Sequence, residues 1–219
     1  MNLIMSHLYT DRLNSEQLQV FKQLKKFRSF FVLAGGTAIM LQLNHRLSQD
    51  FDCFSQRPLS TYFSAKLTEV FGKEIKVIFK SEDMVSFQTK TNVNISFVYY
   101  PYKPLHPAIK TETIDLSHLD DLAANKAFTV GRRNTWRDYV DLFWFLNSKT
   151  YNMNQLIKLT EKKFKGEFNA KLFLGQLTYY KDVKIVPTVF TKQSFTPEQI
   201  QSFLQQTVRD YLKKEGLMF

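Results

Sequence analysis

The first periodic segment of the chain is SEQLQVFKQLKKFRS, residues 15 to 29, where Leu18, Phe21 and Leu24 recur at helical spacing and Lys22, Lys25, Lys26 and Arg28 fall between them. This pattern predicts an amphipathic helix with Ser15 as its N-cap. FFVLA follows as a short apolar run, GGTAIMLQLNH as a glycine turn entering a helix, and LSQDFDCF as a second strand of alternating character. EIKVIF, MVSFQT and NVNISFVYY also have strand composition, and the short polar turns SED and KTN between them predict an antiparallel extension of the sheet.

After Pro101, Pro104 and Pro107 the pattern becomes helical. SHLDDLAANKAFTV opens with Ser117 and Asp120 at capping-box spacing, and TWRDYVDLFWFLN repeats apolar residues at three and four. Further helices are expected near 154–165, 169–181 and 197–214, the last with Thr196 at the cap and Pro197 at its first position. The expected organisation is an α/β (α+β) lobe over residues 1–115 and a helical lobe over 116–219. Neither a repeat nor a low-complexity tract is visible.

With 219 residues, 44% hydrophobic and 23% charged, the chain is long enough to bury a sizeable core. Its longest apolar stretch, FFVLAGGTAIMLQL, is broken by Gly35, Gly36 and Thr37 and falls short of the ~20 residues that cross a bilayer, so no membrane partner is expected. MNLIMSHLYTDR lacks a basic segment followed by a long apolar one and does not read as an export signal. Cys53 is the only cysteine, which excludes an internal disulfide and fits a reducing cytoplasm. The net charge of +10 favours a polyanionic partner, nucleic acid first. Four dispersed histidines and one cysteine show no zinc-ligand spacing.

Chemistry concentrates in GGTAIMLQLNHRLSQDFDCF. Residues i and i+2 of a strand share a face, so Asp50 and Asp52 project together as a chelating pair whose hard oxygens suit Mg²⁺ or Mn²⁺. One helix upstream, Gly35, Gly36 and Thr37 let the backbone approach a phosphate at a helix start. No G-x-x-x-x-G-K-[ST] is present, which excludes a P-loop.

FVLAGGTAIMLQLNHRLSQDFDCF resembles the signature of nucleotidyltransferases of the AbiEii/AbiGii toxin family, within the DNA polymerase beta-like nucleotidyltransferase superfamily: strand, Gly-Gly or Gly-Ser, helix, Arg-x-Ser-x-Asp-x-Asp. The matching positions are Gly35, Gly36, Thr37, Arg46, Ser48, Asp50 and Asp52. DDLAANKAFTVGRRNTWRDYVDLFWFL resembles the family's helical block, with Lys126, Arg132 six residues on, and Asp138 and Asp141 in an Asp-x-x-Asp-Leu arrangement. The resemblance implies a nucleotidyltransferase-fold mixed sheet with flanking helices, followed by an all-helical lobe. It further implies transfer of an NMP from an NTP to an acceptor hydroxyl, such as that of tRNA or another RNA. The protein would serve as the toxin of a toxin-antitoxin or phage-defence pair with a cognate antitoxin.

In that reading Asp50 and Asp52 bind the metal and act in catalysis with Lys126 and Asp138. Gly35, Gly36, Thr37, Arg46, Ser48, Arg132 and Asp141 bind substrate. From the residues alone, Lys126 in an apolar helix either snorkels to solvent or meets an anion, while Asp138 and Asp141, at i and i+3, share a helix face and either pair with Lys126 or Arg132 or act on a substrate hydroxyl. Superfamily enzymes commonly carry a third carboxylate on a neighbouring strand, and NVNISFVYY offers only Asn94 and Ser96 at its alternating polar positions. That departure supports an alternative, a weakly active or inactive nucleotide- or RNA-binding module. Cys53 reads as inert core, and Lys158, Lys162, Lys163 and Lys165 as a basic helix face.

Overall fold

The computed structural model describes residues 8–217, so the reading of the amino terminus as carrying no export signal rests mainly on residues outside those described. Among the described residues no helix is long and apolar enough to cross a membrane. The chain divides into two compact units, the first ending at His118 and the second beginning at Leu119.

The first unit opens with α1 (Ser15–Gln23), which continues as a 3-10 turn over Leu24–Phe27 instead of reaching residue 29 as one α-helix. Its N-cap is Asn14, not Ser15. Asn14 Oδ1 accepts from the Gln17 N–H at 2.8 Å, and Gln17 Oε1 accepts from the Asn14 N–H at 3.0 Å, a reciprocal capping box one residue earlier than the serine suggested. Next come β1 (Val32–Ala34), α2 (Gly35–Leu43), β2 (Phe51–Ser55), α3 (Phe63–Phe71), β3 (Lys76–Lys80), β4 (Met84–Gln88) and β5 (Asn94–Tyr99). The sequence pattern above does not include α3, although Phe63, Leu67 and Phe71 recur every four residues and Gly72 stops the helix at a φ of 89°.

The strands form one sheet in the order β1-β2-β5-β4-β3. The β5-β4-β3 portion is antiparallel, as expected, whereas β2 pairs with β5 in parallel, which makes the sheet mixed. Phe51, Cys53, Val85, Phe87, Ile95 and Phe97 are buried on one face. Phe97 lies there among Phe27, Phe31 and Phe63, with ring centroids 4.7 to 5.1 Å apart. Burial of each such ring contributes roughly 1.5–3 kcal/mol. Strand alternation therefore turns Asp52, Ser86, Gln88, Asn94 and Ser96 to the other, half-exposed face. After β5 the proline segment stays with this unit. Leu33 N–H donates to the Asp115 carbonyl at 2.8 Å, and Ile109 and Leu116 exchange backbone bonds at 2.8 and 2.9 Å.

The second unit contains α4 (Leu119–Thr129), α5 (Trp136–Asn147), α6 (Met153–Phe164), α7 (Ala170–Leu177) and α8 (Pro197–Lys214). α4 begins at Leu119, two residues after Ser117, whose N–H donates to the Leu33 carbonyl at 2.9 Å. Thr196 does cap α8 in a capping box with Gln199, with Pro197 in the first turn. The helices close over Leu122, Tyr139, Phe143, Leu156, Phe164 and Leu204.

Candidate active site

In the first unit, the glycines are the opening turn of α2 itself. Gly35 has a φ of 65°, a left-handed conformation that a side chain would strain, and a Cβ placed on it would stand 2.2 Å from Asp52 Oδ2. A Cβ on Gly36 would stand 2.6 Å from the Arg46 guanidinium and 3.0 Å from Ser48 Oγ. The glycine pair is thus required by close packing of Asp52, Arg46 and Ser48 around a helix start. Ala34, at the N-cap position, supplies no side-chain hydrogen bond. The polarised N–H groups of a helix start favour anions there.

Thr37 ties the next turn to the loop before β2. Its hydroxyl lies 3.0 Å from Ser48 Oγ and donates to the Asp50 carbonyl at 2.5 Å. Arg46 is buried, and its guanidinium donates to the Leu47 carbonyl at 3.0 Å. Gln17 is a supporting residue that the sequence reading missed. Its amide donates to the carbonyls of Ser48 and Gln49, at 2.9 and 3.2 Å, so the α1 capping box also pins the segment carrying Asp50. The only signal in the sequence was a glutamine three residues after Asn14.

Asp52 lies in register with Ala34 on one side and Ser96 on the other. Asp50, just before β2, accepts from Asn94 Nδ2 at 3.1 Å, and Ser96 Oγ lies 3.1 Å from Ser86 Oγ. The neighbouring strands therefore place amides and hydroxyls beside the aspartates and no acid. Two half-exposed carboxylates beside a glycine helix start suit a divalent cation that keeps several oxygens from water or phosphate. The neighbouring Cys53 is fully buried, and burial, helped by the Asp52 charge, pushes its thiol well above the ordinary range, so it stays protonated and inert.

In the second unit, Lys126 does not snorkel. Its ammonium lies 2.6 Å from Asp138 Oδ1 and 2.7 Å from Asp141 Oδ2, with all three side chains at most 7% exposed. Arg133 completes the cluster by pairing with both oxygens of Asp138, at 2.8 and 3.0 Å, from a half-exposed position. Burial by itself would raise the Asp138 carboxyl, but Lys126 and Arg133 outweigh it and hold the group below its usual range. Arg132 faces elsewhere. It donates to the carbonyls of Phe128 and Glu167, at 3.1 and 2.7 Å, and stacks 3.7 Å over the Phe128 ring.

The presumed basic face of α6 also divides. Lys158 and Lys162 are exposed, whereas Lys163 is buried with its ammonium 2.7 Å from Asp121 Oδ1. Burial lowers the Lys163 pKa despite the attraction of Asp121. Deeper in the unit, burial together with the nearby carboxylates Asp182 and Asp138 pushes Tyr139 up to about 12.

A mixed sheet that seats an Asp-x-Asp pair against a Gly-Gly helix start, followed by a helical unit, is the architecture of a nucleotidyltransferase. Residues 20–215 match the family described as "Nucleotidyl transferase AbiEii toxin, Type IV TA system", and the chain belongs to that family. Uncharacterized protein aq_aa25 of Aquifex aeolicus (strain VF5) is 25% identical over 187 residues, spanning 84% of this chain and 88% of that protein. The fold is shared with two crystal structures from Helicobacter pylori. One, of a candidate nucleotidyltransferase, has a TM-score of 0.58 at 17% identity, covering 94% of this chain and all of the other. The second, JHP933, has a TM-score of 0.52 at 14% identity, covering 95% and 97%.

Proposed function

We propose that the chain transfers the NMP of a nucleoside triphosphate to an acceptor hydroxyl, with RNA, including tRNA, as the acceptor class. The observation that supports this reading most directly is the packing of Asp52 against the left-handed Gly35 at the start of α2, which puts a chelating carboxylate beside a phosphate-favouring helix end. Asp50 and Asp52 would hold Mg²⁺ or Mn²⁺, which when bound supplies charge neutralisation on the phosphates. Gly35 and Gly36 make room for Asp52, Arg46 and Ser48 against the start of α2, whose N–H groups would meet the phosphates, while Thr37 and Ser48 fix the loop that aims the aspartates. In the reaction the acceptor oxygen bonds to the α-phosphorus, and the bond from that phosphorus to the bridging oxygen breaks. Pyrophosphate leaves with the electron pair. The acceptor proton passes to solvent, since β5 supplies no carboxylate to take it.

In the helical unit Lys126 serves to hold Asp138 and Asp141 in position, and Arg133, exposed at the edge of that cluster, meets anionic substrate. Incubation with each labelled NTP, Mg²⁺ or Mn²⁺ and total RNA tests the proposal: label should enter RNA with the wild type and not with Asp50→Asn/Asp52→Asn. A second reading, nucleotide binding with slow or no turnover, is favoured by one specific observation, the neutral Asn94 and Ser96 beside the aspartates. Nucleotide binding without labelling of RNA under any cation supports that reading instead.

A further inference from the structure

The β3 edge carries a feature that the transferase chemistry does not use. β3 ends the sheet, paired on one side with β4 and with no other strand on its outer side among the described residues. All five of its residues are exposed, and Val77, Ile78 and Phe79 are 52%, 58% and 52% accessible. Edge strands are ordinarily blunted by inward charges, proline or shortness, because their outer N–H and C=O groups template pairing with another chain. Here the devices are the register shift between Val77 and Phe79 and the exposed lysines, Lys76 and Lys80, at the two ends. Three consecutive apolar side chains on an open edge are otherwise a cost in solubility with no return inside the fold.

We propose that the β3 edge is a docking site for an acidic extended segment of another protein, which adds to the sheet as a sixth strand. The backbone of an edge offers alternating donors and acceptors, which another strand satisfies and a nucleic-acid backbone does not. The strand's charges are Lys76 and Lys80, with no acid between them. Among the described residues Lys80 Nζ reaches only Ser64 Oγ, at 2.9 Å, so its charge is not neutralised by that contact. A second copy is a poor occupant. In the antiparallel register that pairs all five residues, Lys76 faces Lys80 and, just beyond, Glu74 faces Glu82, like against like at both ends. An incoming strand with glutamates across from the lysines meets no such repulsion.

The test uses the full chain and two blocked, fluorescent peptides of equal length, one alternating glutamate with valine and one alternating lysine with valine. Anisotropy should show the acidic peptide binding at least tenfold more tightly than the basic one. Methylating alternate backbone nitrogens of the acidic peptide should abolish binding. Lys76→Glu/Lys80→Glu, at two exposed positions, should reverse the preference between the peptides. Equal binding of the two peptides, undiminished binding after methylation, or an unreversed preference would each overturn the proposal. So would displacement of the acidic peptide from the wild type by an RNA oligonucleotide, or a dimer of the free chain that Phe79→Lys dissolves.

Discussion

Asp52 Oδ2 occupies the space where a side chain on Gly35 would begin, 2.2 Å from the position of its Cβ. Two requirements meet at Gly35, a positive φ and the absence of a side chain, and either alone disfavours substitution. Gly35→Ala should therefore lower the melting temperature and displace the Asp52 carboxylate. Calorimetric titration with NTP and Mg²⁺ should show affinity falling at least tenfold, whereas Thr68→Ala, far from this turn in sequence, leaves it alone. Retained affinity in a folded Gly35→Ala protein would detach the glycine from the site.

The pair Asp50 and Asp52 should act as ionic ligands and not as structural props. Asp50→Asn/Asp52→Asn keeps size and hydrogen-bonding capacity, so the fold should persist by circular dichroism while the Mg²⁺ dependence of nucleotide binding disappears. Conversely, Ser96→Asp places an acid directly across from Asp52 in the register. It should tighten Mn²⁺ binding with nucleotide present and lower stability without metal, because like charges then crowd one face. No gain in metal affinity would mean that β5 does not border the metal position.

Lys126, Asp138 and Asp141 should behave as one buried unit. Removing one partner leaves an uncompensated charge, so Lys126→Met should cost about 3–5 kcal/mol in urea unfolding. The sign with pH follows from Asp138, whose carboxyl is depressed in the fold. The unfolded chain then binds the extra proton, so stability is full above the unfolded value of about 3.9 and is lost as pH falls through the lower folded value. Asp138→Asn should flatten acid unfolding over that interval. An unaltered acid limb would remove Asp138 from the account.

Arg132 and Arg133 separate by geometry. Arg133→Ala should raise the Asp138 pKa, read by carboxyl NMR, and weaken NTP binding, because it removes the guanidinium that pairs with both oxygens of Asp138. Arg132→Ala should leave both nearly unchanged and reduce stability by about 0.5–1 kcal/mol, because the Phe128 ring then has no cation stacked on it. The reverse ranking would place Arg132 at the phosphates, as the spacing of the helical block implies.

Apart from α3, the strands and helices were legible because their burial follows short periods: alternation in β2, β4 and β5, three-and-four spacing in α5 and α8. The start of α1 was read one residue late because serine and asparagine are both good caps, and only the side-chain geometry of Asn14 and Gln17 chooses between them. The parallel pairing of β2 with β5 was not legible, since it joins residues over forty positions apart and depends on the whole sheet closing. At the site, the Gly-Gly and Asp-x-Asp elements were visible as motifs, and their contact was not. Gln17 and Arg133 left no periodic trace, because each acts through one long side chain reaching a backbone or carboxylate fixed elsewhere.

The lysines of α6 provide the last separation. Spacing groups Lys158, Lys162 and Lys163 on one basic face, yet Lys163 is buried against Asp121 while the other two are exposed. Lys163→Met removes one half of a buried ion pair with Asp121 and should cost about 3–5 kcal/mol. Because burial lowers the Lys163 pKa, the unfolded chain holds the extra proton, and this group's contribution to stability rises with pH between the folded value and the unfolded ~10.4. Lys163→Met should remove that rise from alkaline denaturation curves. Lys158→Ala/Lys162→Ala should leave the melting temperature in place and act only on polyanion binding, reducing the slope of log affinity against log salt by about 0.7–0.9 for each phosphate no longer neutralised. Titration of RNA across salt concentrations checks this. An unaltered slope in the double variant would make α6 an ordinary solvated face and send the RNA to another surface of the protein.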